Sequence, residues 1–303
     1  MIEAVLSGAV RGGTSILYAT LGETVTERAG VINLGTEGSM LAGALGGYAV
    51  SVSSGSLWLG VAAGAGCGLA LALVHAIVVL FRGGNQLATG LVVTFLGIGL
   101  TSLFGDEYVS RGIEGFKPVA IYGLSSIPLL GTVLFKHDPL TYLSFVAAPA
   151  IWWLLFRTTW GLSLRAAGER EEVLVAHGRS ARSVRVAAIA MGGMLAGIGG
   201  AQLSTAYTLT WSEGMTVGRG FIAVALVIFA AWDPIKAVGG AWFYSGTVAF
   251  QLQLQARGVE ISPFLLNAIP YLVTIAALMV WGRRRVHAAP EGLQRVFETA
   301  PSG

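Results

Sequence analysis

Aspartate, glutamate, lysine and arginine are missing from long stretches of this chain, and no other feature constrains its fold as tightly. Residues 38–81 carry none of them, a length that suffices for two crossings of a bilayer at about 20 residues each. Residues 83–105, 139–156, 186–212, 237–256 and 261–282 are further charge-free runs, each of single-span length. Two shorter apolar pieces complete the set: residues 4–21, interrupted by Arg11, and residues 221–232. The second is too short to span alone, so it is expected to be part of a broken helix or to join the segment before it. Backbone polar groups in hydrocarbon must be satisfied internally, and runs of this length favour helices over a closed barrel. The expectation is an all-α polytopic membrane protein with about nine segments (a range of about eight to ten) and discontinuous helices.

Composition agrees with that reading. Hydrophobic residues make up 54% of the chain and charged residues 12%, which excludes disorder. The 43 glycines show no collagen-like period and fit helices packed closely through small residues. A single cysteine, Cys67, rules out a disulfide scaffold and reads as a core residue. The N-terminus, MIEAVLSGAV, has Glu3 where a signal peptide carries basic residues, so the first segment is expected to belong to the mature protein.

Arginine sets the expected orientation. Residues 157–185 hold Arg157, Arg165, Arg170, Arg179, Arg182 and Arg185, and the tail holds Arg283, Arg284, Arg285 and Arg295. Both regions are expected on the cytoplasmic side by the positive-inside rule. The loop 105–138 then falls outside, where Arg111, Lys117 and Lys136 are balanced by acidic residues. A single membrane domain over 1–285, with a cytoplasmic loop at 158–185 and a cytoplasmic tail at 286–303, is the expected organisation. The loop reads as a pair of short amphipathic helices with Gly168 and Gly178 as breaks or caps. Such a pair is either an interfacial connector or a docking element, and periodicity alone leaves both open.

Polar groups at membrane depth mark function by default. The first cluster, GETVTERAGVINLGTEGSM, brings Asn33 and Glu37 to a glycine-rich break before a helix start, where exposed amides can meet a polar ligand. Glu23, Glu27 and Arg28 in the same string read more simply as a cytoplasmic turn. The second, GGNQLATG, offers Gln86 and Thr89, either toward a cavity or as interhelical hydrogen bonds. The third, TWSEGMTVGRGF, offers Trp211 and Glu213 beside Arg219. Trp211 could stack on a planar ligand or anchor at the interface. Glu213-Gly214 echoes Glu37-Gly38, and paired glycine-rich breaks in two halves of a transporter point to its binding region. No Cys/His cluster has metal-site spacing, and no phosphate-binding loop is present, so ATP-driven transport would need another subunit.

The string GETVTERAGVINLGTEGSMLAGA resembles the N-terminal signature of bacterial ABC-importer permeases in the branched-chain amino acid, ribose and nucleoside group. GNQLATGLVVTFLGIGL, LRAAGEREEVLVAHG and EGMTVGRGFIAVALVIFAAWDP agree with it in the expected order over nearly the whole chain. The resemblance is nearest to nucleoside and simple-sugar permeases that work with basic-membrane-lipoprotein-type binding proteins. It implies the ABC-importer transmembrane fold in a bacterial cytoplasmic (inner) membrane, with no bond chemistry in this chain. It further implies separate ATPase subunits holding ATP and magnesium, a second, paralogous permease, and an extracytoplasmic binding lipoprotein. Residues 164–178 match the family's cytoplasmic coupling helix, with Arg165, Gly168, Glu169, Ala176 and Gly178 as its elements; Glu171-Glu172-Val173 departs from the usual pattern. Asn33, Glu37, Gln86, Thr89, Trp211 and Glu213 become the candidates for the substrate pathway or gate. The alternatives are a branched-chain amino acid permease and an ion-coupled secondary carrier; an intramembrane enzyme lacks a nucleophile and base in reach.

Overall fold

The computed structural model describes residues 1–109, 111–258, 262–281 and 289–293. The basic tail residues Arg283, Arg284, Arg285 and Arg295 lie outside them. The described chain is a bundle of helices: α1 (Ile2–Arg28), α2 (Thr36–Ser54), α3 (Leu57–Ala76), α4 (Gln86–Gly105), the short α5 (Leu130–Leu134), α6 (Pro139–Arg157), α7 (Thr159–Glu169), α8 (Glu171–Ala176), α9 (Ala181–Gln202), α10 (Arg219–Phe229), α11 (Pro234–Ala256) and α12 (Pro263–Trp281). α3 and α9 each run on through a π-type turn, at Ile77–Phe81 and Leu203–Tyr207. Four of these stretches are long and apolar enough to cross a membrane: Leu57–Phe81, Gln86–Tyr108, Pro139–Arg157 and Ala181–Tyr207. A two-residue ladder, Val119–Ala120 against Lys136–His137, closes the loop between α4 and α6.

The helices begin where side chains replace the missing backbone acceptors. Asn85 accepts the Ala88 amide, Asp138 the Thr141 amide and Asp233 the Ile235 amide, each at 3.0 Å or less. Pro139 and Pro234 follow two of these caps, where a missing N–H costs nothing. Asn85, in the GGNQLATG string, is therefore the cap of α4.

Glycine decides how the bundle packs. α2, α3 and α9 meet backbone to backbone: a Cβ on Gly43 would lie 2.5 Å from the Gly197 Cα, and one on Gly64 would lie 2.7 Å from the Gly43 carbonyl oxygen. α1 reaches α9 in the same way, since a Cβ on Gly22 would meet the Gly192 carbonyl at 2.5 Å. Lipid offers no hydrophobic gain for helix association, so close van der Waals approach has to supply it. α10 and α11 join α1 through Leu226, Ala237, Ala241 and Tyr244, which pack with Ile16 and Leu17.

Two breaks interrupt the bundle. The chain leaves α1 through Gly30, at φ +82°, and enters α2 only at Thr36. It leaves α9 through the π turn, crosses residues 208–218, and starts α10 after Gly218 at φ +78°. The expected 221–232 piece is the short helix Arg219–Phe229, which does not join the α9 segment before it.

Candidate functional site

The two breaks are built into each other by carboxylates of the first one. Glu37 is buried in the first turn of α2; its Oε1 accepts the Thr216 hydroxyl at 2.6 Å and the Gly218 amide at 2.9 Å, and its Oε2 accepts the Gly220 amide at 2.6 Å. The two amides are N–H groups at the start of α10, where a helix favours negative charge. Glu23, one helix away, accepts the Asn33 amide at 2.7 Å and the Thr36 hydroxyl at 2.9 Å, and the Asn33 carboxamide in turn accepts the Gly35 amide at 2.9 Å. The α1–α2 break is therefore a closed hydrogen-bond circuit.

The end of α10 is tied down by the next turn of α1. Glu27 accepts the Trp232 indole N–H at 2.6 Å, and Arg28 donates to the Trp232 carbonyl at 3.1 Å. Ala231 and Trp232 both take positive φ, 53° and 56°, a costly conformation for residues with a Cβ that these two bonds hold in place. Glu23 and Glu27 are buried, so the plain turn expected from the sequence is instead the interior clamp of the break.

The other sequence candidates fall in separate places. Gln86 accepts the Ile32 amide at 2.9 Å and Thr89 is half-buried beside it on α4. Trp211 is a core residue, 1% exposed among Leu41, Leu45, Tyr48, Leu203 and Met215, with no free face for a ligand. Glu213 is exposed and pairs with the Ser102 hydroxyl. Its likeness to Glu37 is one of sequence alone: Glu37 caps the second break, and Glu213 among the described residues accepts from Ser102.

The loop between α6 and α9 forms the expected pair of short helices, with its break at Arg170 and Gly178, at φ +68°, following the second. One face is welded to the α1–α2 break. A Cβ on Gly30 would lie 3.1 Å from the Gly168 Cα. Arg185, at the start of α9, donates to the Ala29 carbonyl at 3.2 Å, to the Ala167 carbonyl at 2.8 Å and to Glu171 at 2.8 Å. Residues 289–293 return to the same place: Leu293 is 1% exposed among Ile32, Val227 and Trp232, and Glu291 pairs with Arg170 at 3.4 Å. The opposite face is bare, with Leu162, Val173 and Val175 exposed, the last at 68%.

A cavity of about 330 Å³ lies between α1, α10, α11 and α12, lined by Tyr207, Arg219, Tyr244, Ser245, Gln251 and Tyr271. That volume is at the lower end of the roughly 300–1,000 Å³ typical of small-molecule sites. Of these residues, only Arg219 had drawn notice in the sequence. The signal available was modest: three tyrosines and a glutamine set in otherwise apolar helices.

A bundle of apolar helices with two interlocked breaks, a cavity of mixed lining beside α10 and a two-faced connecting loop fits a membrane permease. The chain matches the family described as branched-chain amino acid transport system / permease component over residues 5–278, and it belongs to that family. It is 40% identical over 295 residues to a putative glucose ABC transporter permease protein of Haloferax volcanii, covering 90% of each chain. It is 28% identical over 277 residues to a guanosine ABC transporter permease protein of Bacillus subtilis, covering 87% of each. To a nucleoside ABC transporter permease protein of Lactococcus lactis it is 27% identical over 311 residues, covering 97% of each. No solved structure matches the chain. The protein is a multi-pass membrane protein and a permease component of a transport system of the ABC class, not an enzyme.

Proposed function

We propose that this chain forms part of the membrane pathway of an ATP-driven importer, moving a nucleoside or simple sugar handed over by an extracytoplasmic binding protein. The printed activities of the three relatives support that cargo class. Nine membrane elements (α1 to α4, α6 and α9 to α12) form one domain and leave the α7–α8 loop and the C-terminus in the cytoplasm of a bacterial inner membrane. ATP and magnesium are held by separate ATPase subunits, and a second, paralogous permease completes the pathway.

The observation that carries this reading is the two-faced α7–α8 loop. Away from the α1–α2 break it presents Leu162, Val173 and Val175, exposed apolar side chains that fit a groove on a motor subunit. Its other face holds Ala29 and Gly30 through Arg185 and Gly168. A push on α7–α8 therefore reaches the α1–α2 break, passes through the Glu23–Asn33–Thr36 circuit to Glu37, and arrives at the start of α10. The next residue along that path is Arg219, in the wall of the cavity.

The test is co-purification. Replacing Val173 and Val175 with glutamate leaves expression and Tm of the permease unchanged and abolishes its recovery with the ATPase subunit. Undiminished recovery overturns the docking role. Solute accumulation by the purified chain alone in liposomes, collapsed by an uncoupler, would favour an ion-coupled carrier instead.

A further inference from the structure

We propose that the end of α6 and the start of α7 form a binding site for the phosphate headgroup of an anionic phospholipid. The proposal needs only that the chain crosses a membrane. α6 is long and apolar enough to do so, and Arg157, its last residue, stands where the chain leaves the hydrocarbon. An exposed stripe leads to it at helical spacing: Leu143, Val146, Ala150, Trp153 and Arg157. From Leu143 to Trp153 is about 15 Å along the axis, half of a hydrocarbon core about 30 Å thick. The stripe therefore offers the apolar depth of one leaflet and ends in a cation.

Three guanidiniums gather at that end on two neighbouring rings. Arg157 lies 5.7 Å from the Trp152 centroid, and Arg28 and Arg165 lie 5.6 and 5.2 Å from that of Phe156. The two rings are 5.8 Å apart. Arg28 spends its Nε on the Trp232 carbonyl, while among the described residues Arg157 and Arg165 make no hydrogen bond or ion pair. The Arg165 Nε is itself enclosed and meets no acceptor. Buried donors are almost always answered, so this one marks a place for an acceptor from outside the chain. The carboxylates that act on Arg28 are engaged elsewhere: Glu169 accepts the Glu291 amide at 3.1 Å, and Asp233 caps α11 and pairs with Lys236 at 3.8 Å. A small anion would answer the guanidiniums and leave the stripe bare, whereas a phospholipid answers both, as basic pockets between membrane helices do for acidic headgroups. Trp152 and Trp153 stand at the level where aromatic side chains meet headgroups.

The experiment is native mass spectrometry of the full-length permease in detergent, titrated with phosphatidylglycerol or phosphatidylcholine of matched chains. Phosphatidylglycerol is retained about tenfold more tightly. Arg157→Gln and Arg165→Gln each weaken it about fivefold and leave phosphatidylcholine unchanged. Trp153→Ala, in the exposed stripe, weakens both lipids alike. Arg111→Gln combined with Lys117→Gln, which removes two exposed positive charges from the α4–α6 loop, leaves both lipids as in the wild type. Equal retention of the two lipids overturns the proposal, as does an unchanged preference in Arg157→Gln, whose exposed side chain does not hold the fold. Displacement of phosphatidylglycerol by inorganic phosphate would make this a site for free anions, and displacement by a bound ATPase subunit would make it a protein interface. Either result overturns the lipid assignment.

Discussion

The Glu37 carboxylate and the Gly220 amide meet at 2.6 Å, across 183 positions of sequence, and this bond joins the two breaks of the bundle into one unit. Two further donors, the Thr216 hydroxyl and the Gly218 amide, share the same carboxylate. Glu37→Ala strands buried donors at the head of α10, and each stranded group costs about 1–3 kcal/mol. A clear fall in Tm of the detergent-purified protein is expected, with Glu37→Gln intermediate. Glu213→Ala, at an exposed side chain, leaves Tm unchanged. Equal Tm for wild type and Glu37→Ala would show that the carboxylate is not holding α10.

Arg185 bridges the α7–α8 loop and the Ala29 carbonyl. If force passes through it, Arg185→Ala keeps the ATPase bound and hydrolysing while uptake drops about tenfold or more, within the usual size of coupling energies. Arg185→Lys, which retains charge but loses the planar fork, falls between. The ratio of solute moved to ATP hydrolysed is the readout, and an unchanged ratio in Arg185→Ala excludes the bridge from the transmission path.

Leu293 fills a slot between Ile32, Val227 and Trp232. Leu293→Ala costs about 2 kcal/mol or more, the low end for a buried leucine truncation. Faster hydrogen exchange of residues 289–293 accompanies it. A variant that exchanges as slowly as wild type would mean that the segment contributes nothing to the closed break.

His137 lies fully buried in the loop between α4 and α6, with Nε2 2.6 Å from the Val133 carbonyl. Burial lowers its pKa below the ordinary histidine value, outweighing the Val133 bond and Asp138, which act the other way. The unfolded loop therefore takes up a proton more readily than the folded one. Stability from this site is present above about pH 6.5 and is lost as the pH falls below it. Hydrogen exchange of residues 130–142, corrected for intrinsic rate, speeds up between pH 7.5 and 5.5, and His137→Gln removes most of that dependence.

The helical class, four apolar stretches of spanning length, the two breaks and the paired helices of the connecting loop were legible in the sequence, because missing charge, glycine clusters and alternating polarity are local signals. The roles of individual polar residues were not. Glu23 and Glu27 sit in a string that reads as a turn, and only the folded chain shows Asn33, Thr36 and Trp232 arriving to satisfy them. Trp211 carries the same local signature as an interfacial anchor, yet Leu41, Leu45 and Tyr48, distant in sequence, enclose it. The cavity residues Tyr207, Tyr244 and Tyr271 come from three elements and share no motif.

Gly197 sits where α9 passes both Gly43 and Gly64. Gly197→Val forces a branched side chain into backbone, and overpacking of this kind costs about 1–3 kcal/mol or more. A shift from a single peak to aggregate in size-exclusion chromatography is expected, whereas Gly239→Ala, in open space on α11, elutes as wild type. Coincident profiles for Gly197→Val and wild type would refute the close approach.

Because carbonyl meets Cα along the α2–α3–α9 seam, those three helices have no side-chain cushion on which to slide in small steps. The same rigidity extends to the head of α10, because a Cβ on Gly220 would lie 2.5 Å from the Glu37 backbone nitrogen, so α2 and α10 are keyed together as firmly as the seam itself.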